Sequence, residues 1–106
     1  MRKITEKVAR AFANDKKVSA GNTKVEVDDI STILSLHNNI IAIKSSNGIV
    51  EFNNQGYATN TTKERLNGIA EIMGLPKLYQ KQGVWYYDDE NGNKVQFNDN
   101  EWVKMN

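Results

Sequence analysis

Cysteine is absent from the chain, and with it go any disulfide framework and any thiolate for zinc, iron-sulfur or nucleophilic chemistry. That composition suits a reducing compartment, and an intracellular protein is expected. Histidine is almost absent as well. His37 is the only one, so a histidine-rich metal site is excluded, and a Ser-His-Asp triad would have to be built around that single ring. Ser31 and Ser35 lie near it in the chain, but no serine sits in a nucleophile-elbow pattern. Long apolar runs are missing too: no segment approaches the roughly 18 to 20 residues of a membrane span, so no membrane association is expected. Arg2 and Lys3 imitate the basic start of a signal peptide, but Glu6, Lys7 and Arg10 leave no continuous apolar run behind them.

Neither sign of charge dominates, since the net charge is +1. The distribution is uneven, however. Residues 1–17 hold six basic and two acidic side chains, residues 18–87 six of each, and residues 88–106 two against five. Strong nonspecific nucleic-acid binding draws on a larger basic excess than this, because affinity grows with the number of phosphates neutralised. DNA mimicry would need a large acidic excess, which is equally missing.

What remains is the composition of one folded domain. The 106 residues are 39% hydrophobic and 25% charged, enough for one modest core. Ile4, Val8, Ala11 and Phe12 form one stripe of an amphipathic helix, predicted over Lys3 to Ala13 with Asn14-Asp15 as its exit. Beside that stripe Lys3, Lys7 and Arg10 share a neighbouring face, and Lys16 and Lys17 come next in the chain; these five are candidate nucleic-acid contacts, or else a solvated helix flank. From Thr23 the period changes. "TKVEV", "STILSLH", "NIIAIK" and "GIVEF" read as antiparallel strands separated by turns at Asp28-Asp29, Asn38-Asn39 and Ser45 to Gly48.

A second helix is predicted from Thr62 to about Met73. Thr61 as N-cap with Glu64 three residues on makes a capping box; Leu66, Ile69, Ala70 and Met73 supply the apolar stripe, and Gly74 with Pro76 the stop. Asn67-Gly68 in its middle is a flaw, since an interior Gly costs about 1 kcal/mol relative to Ala, and the helix could break there. "LYQK", "VWYYDD" and "KVQF", joined by Gln82-Gly83 and Glu90 to Asn93, complete the chain in β-structure. The expectation is a single α+β domain over 1–106: an N-terminal helix, an antiparallel β-meander, a second helix packing on the sheet and a C-terminal β-hairpin.

Few residues point to catalysis. Asp89, Asn91 and Asn93 look like the start of a calcium loop, but Lys94 stands where glycine is required and Asn100 where the bidentate Glu belongs. Asp28-Asp29 and Glu64 with Glu71 are carboxylate pairs without a cleft signature. No glycine pattern fits a phosphate loop. A non-enzymatic protein with no cofactor and no metal is expected. Two features stand out as binding surfaces. The start of the second helix places Thr59, Asn60, Lys63 and Arg65 around free backbone N–H groups. The hairpin "VWYY" puts Trp85 and Tyr87 on one face, to serve as core, as a stacking platform or as a hot spot for a protein partner.

Gly56, Tyr57, Thr61 to Asn67, Gln80, Lys81, Gly83, Trp85 and Tyr86 also carry a resemblance. "GYATNTTKERLNGI" together with "YQKQGVWYY" is similar to a group of small accessory proteins of tailed phages and prophages; Gly21 to Thr23 and Leu36 to Ala42 share the likeness. The resemblance implies a cytoplasmic protein of the infected host cell that binds and inhibits a host protein or nucleoprotein, in an anti-defence role that includes inhibition of a CRISPR effector. It implies no catalytic residues. The alternative is a small nucleic-acid-binding module using the basic helix and the aromatic hairpin.

Overall fold

The computed structural model describes residues 1–106. Helix α1 spans Lys3–Ala13, as its stripe predicts, and buries Thr5, Val8, Ala9 and Phe12. Five strands come next: β1 (Val18–Ala20), β2 (Thr23–Val27), β3 (Ser31–Leu36), β4 (Asn39–Ser45) and β5 (Val50–Phe52). Helix α2 (Asn60–Met73) leads to β6 (Tyr79–Lys81), β7 (Val84–Asp88), β8 (Lys94–Gln96) and β9 (Val103–Lys104). The result is α+β, with a six-stranded antiparallel sheet ordered β1-β2-β3-β4-β5-β9 and a separate three-stranded sheet β6-β7-β8. Two strands, β1 and β9, are additional to those expected. Both are edge strands of two or three residues, too short to show a period.

One face of the large sheet holds the core. Val18, Val25, Leu34, Ala42, Phe52 and Val103 form a continuous cross-strand row, and α1 and α2 pack over it with Val8, Phe12, Leu66 and Ile69 fully buried. The small sheet contributes Trp85, and its flanking residues Leu78 and Phe97, to the same cluster. It is docked against α2 by Asn67, whose side chain bonds both the N–H and the C=O of Leu78, at 2.7 and 2.9 Å.

Helix α2 runs unbroken through Gly68, contrary to the alternative of a break. The reason is its neighbour: a Cβ on Gly68 would lie 2.4 Å from Thr5 Cγ2 on α1. Glycine there lets the two helices approach closely, and the lost helix propensity is the cost of that contact. The β3–β4 turn is also displaced by one residue from the predicted Asn38-Asn39. His37 and Asn38 occupy it with φ of 50° and 67°, the positive values that a type I′ hairpin turn requires.

A bulge fixes which way β4 faces. Leu34 pairs with Ala42 but Ser35 with Ile40, leaving Ile41 as the extra residue. Ile41 and Ala42 both turn inward, at 2% and 0% exposure, so Ile40 and Ile43, three apart, both face outward.

Candidate functional site

The start of α2 differs from the predicted capping box. Thr59, not Thr61, is the N-cap, its hydroxyl accepting from the Thr62 N–H at 3.2 Å. Glu64 does not reach back to the cap. It accepts from Arg2 Nε and Arg65 Nη1, both at 2.9 Å, and from the Thr5 hydroxyl. These tertiary partners outweigh a local bond to one backbone N–H. The Thr5 hydroxyl, with Arg2 and Arg65, holds the Glu64 carboxyl below the usual carboxylate range.

Arg65 is a correction. Its side chain is 1% exposed, and its fork is consumed internally: Nε donates to Thr23 Oγ1 at 3.1 Å, Nη1 to Thr5 Oγ1 at 2.7 Å, and Nη2 lies 3.5 Å from Asn22 Oδ1. Burial, with the Arg2 charge, lowers its pKa, while Glu64 opposes both. The guanidinium therefore joins α1, α2 and the β1–β2 hairpin and presents nothing to a partner.

Of the alternatives for Trp85 the structure takes the core and not the partner surface: the ring is 3% exposed and packed on Phe97 with ring centroids 5.9 Å apart. Its Nε1 is buried without a partner. Tyr87 lies on the same side of β7 and packs half-buried against the core. Lys63 folds back, donating to Gln80 Oε1 at 3.1 Å and lying over the Trp85 ring. Thr59 and Asn60 remain exposed, and Thr59 lines a cleft of about 420 Å³ with Leu36, His37, Tyr57 and Thr61. The predicted partner surface is thus dispersed, and most residues that carried its resemblance build the fold.

The other candidates are placed apart. Asp28 accepts from the Ile30 and Ser31 N–H groups within its turn. Glu71 pairs with Lys77 at 3.7 Å on the far end of α2. Asp89 accepts from the Asn91 and Asn93 N–H groups and so closes the hairpin turn itself. Lys3, Lys7, Arg10, Lys16 and Lys17 are all exposed. On the small sheet's outer face Tyr79 donates to Asp88 at 2.7 Å, and that bond pushes the phenol up to about 12.

The surface missed by sequence reasoning is the outer face of the large sheet. Glu26, Ile33, Ile43, Glu51 and Lys104 form one cross-strand row, and Ser19, Lys24, Ser35 and Ile40 another. Ile33 and Ile43 are half-buried and Ile40 is 37% exposed. No helix covers them. Val27 and Ile30, at 40% and 72% exposure, belong to the other side of the β2–β3 end, where Val27 pairs with the buried Thr32, while on the open face a shallow depression of about 350 Å³ lies between Lys24, Ile33 and Ile40. A signal was present in the sequence: "NIIAIK" and "STIL" place apolar residues at both parities, the pattern of strands buried on two faces.

Among known proteins, the family model described as Kyanoviridae Gp96 protein matches residues 1–104, and the chain belongs to that family of phage proteins. No curated protein and no solved structure matches the chain. Among the helices, none is long and apolar enough to cross a membrane.

Proposed function

We propose that this member of the Kyanoviridae Gp96 family is a non-catalytic accessory protein that binds and inhibits a host protein, or a host nucleoprotein through its protein part. The observation that carries the reading is the uncovered face of the six-stranded sheet. Isoleucines on two adjacent central strands are left partly exposed there, rimmed by Lys24, Glu26, Glu51 and Lys104, an apolar centre with a charged rim of the kind that marks protein-protein sites.

The dimensions fit. Five inter-strand steps of about 4.8 Å make a face ~24 Å wide, and the central strands are ~20 Å long. Its projected area, roughly 400 Å² because β1, β5 and β9 are short, and increased by side-chain relief, is of the order of the ~800 Å² that one partner buries in a standard interface. The anti-defence role rests on the phage setting and the resemblance: a small protein acts by masking a working surface, and a CRISPR effector is one class of target that fits.

Affinity capture from a host lysate, with and without nuclease, tests the proposal. A protein retained in stoichiometric amount after nuclease treatment is expected. Recovery of nucleic acid alone, lost on nuclease treatment, would contradict it.

A further inference from the structure

The cationic side of α1 is used neither by the core nor by the open sheet face. At 100° per residue Lys3, Lys7 and Arg10 fall within about 60° of one another, opposite the buried Thr5, Val8, Ala9 and Phe12. Lys16 and Lys17 continue the basic run beyond the helix end.

The neighbouring acids are already committed. Glu6 pairs with Arg10 at 3.7 Å, Asp15 with Lys44 at 2.9 Å, and Glu64 with Arg2 and Arg65 at 2.9 Å each. Lys3, Lys7, Lys16 and Lys17 take part in none of the molecule's ion pairs. The acidic excess of residues 88–106 belongs to the small sheet, its turn and the C-terminal tail.

We infer that this ridge binds the phosphate backbone of duplex nucleic acid without reading its sequence. Charge complementarity selects a polyanion, because four lysines along α1 and its exit are exposed and have no carboxylate partner. The absence of a stacking group selects a duplex over a single strand: single-strand binding relies on aromatic platforms, and the only aromatic residue of α1, Phe12, is fully buried. Asn14, the one amide side chain between the lysines, is turned back onto the helix end, its Nδ2 donating to the Arg10 C=O at 2.9 Å, and Arg10 is paired with Glu6, so neither is free to read base edges. Binding is then electrostatic and weak, as the small basic excess of the chain dictates, with a strong dependence on salt. The ridge is separate from the open sheet face, so the two readings stand or fall independently.

The test is fluorescence anisotropy with a labelled mixed-sequence DNA duplex about two helical turns long, and with a single strand of equal length, between about 50 and 200 mM salt. Four to five neutralised phosphates give an expected log-log slope of about −4. Replacing Lys3→Ala with Lys7→Ala flattens that slope by about 2 and lowers affinity at the low-salt end by roughly tenfold. Both lysines are exposed and unpaired, so far-UV circular dichroism and the melting temperature stay unchanged. The Ile33→Thr/Ile40→Glu variant, altered on the opposite face, binds duplex as the parent does. Absence of duplex binding at the lowest salt, an unchanged slope in the lysine variant, or tighter binding of the single strand would each overturn the inference.

Discussion

Replacing Gly68 by alanine sets two effects of opposite sign against each other. In an exposed helix interior, Gly→Ala stabilises by about 1 kcal/mol. Here the new Cβ would lie 2.4 Å from Thr5 Cγ2, against an ordinary carbon-carbon contact of about 3.5 to 4.0 Å. Thr5 cannot turn away freely, because it is fully buried and its hydroxyl bonds both Glu64 and Arg65 Nη1. Opening a gap of more than an ångström between packed helices costs typically about 1 to 3 kcal/mol, of which the propensity gain offsets about 1, so Gly68→Ala is expected to destabilise by up to about 2 kcal/mol. Thr5→Ser removes the clashing methyl and keeps the hydroxyl, at about 1 kcal/mol for one buried methyl group. In that background the remaining neighbours of the new Cβ are Met1 Sδ at 3.4 Å and Ala9 Cβ at 3.5 Å, and Gly68→Ala should become stabilising. Urea unfolding of the four proteins, read by circular dichroism, closes the cycle with a coupling of about 2 kcal/mol, in the range for residues in contact. A stabilised Gly68→Ala single variant, or strict additivity, would refute the close-approach explanation.

Arg65→Met should cost about 3 kcal/mol, the scale for removing one partner of a buried charged network, and Arg65→Lys should recover only part of it because an ammonium cannot span Thr5, Thr23 and Glu64; full recovery in denaturant titrations would show that charge alone suffices. Glu64 and Asp15 have pKa values lowered in the folded state, Glu64 chiefly by the Thr5 hydroxyl and Asp15 chiefly by the Thr32 hydroxyl. Their stabilisation is therefore complete above the ordinary carboxylate range and lost as pH falls through the depressed values: the melting temperature should hold from neutral pH to about 5 and decline below about 4, less steeply in Glu64→Gln. An equally steep acid limb in that variant would count against Glu64. Trp85→Phe should cost no more than ~1.5 kcal/mol, well under the ~3 to 5 of Trp→Ala, because it also removes a buried N–H that has no partner. A loss as large as that of the alanine variant, again by urea titration, would show that the indole nitrogen has a partner in solution.

Helix α1 was legible because its apolar residues repeat at helical spacing over its whole length. Helix α2 was legible in its body but not at its start, where Thr59 and Thr61 both fit a cap and only the distant Arg2 and Thr5, which draw Glu64 away, decide between them. Arg65 read as a surface residue, and Trp85 as core or surface without a way to decide, for a related reason. A polar or amphipathic side chain is buried only when partners far along the chain receive it, and Asn22, Thr23 and Phe97 carry no local sign of that role. Strands β1 and β9 exist because neighbours offer them an edge. The direction of Ile40 and Ile43 depended on a bulge, which a period-two reading cannot place. The open face was nevertheless written in β3 and β4 as apolar residues of both parities, a pattern that calls for cover on two sides while the chain supplies cover on one.

The most direct measurement is quantitative capture from nuclease-treated host lysate with three proteins: the parent, Ile33→Thr/Ile40→Glu on the open sheet face, and Lys63→Glu at the start of α2. The partner should be retained by the parent and by Lys63→Glu and lost, by tenfold or more for the ~1.4 kcal/mol or greater loss expected of a buried apolar centre, from the sheet-face variant at unchanged melting temperature. Equal capture of the same protein by the sheet-face variant would contradict the assignment of that face as the binding surface.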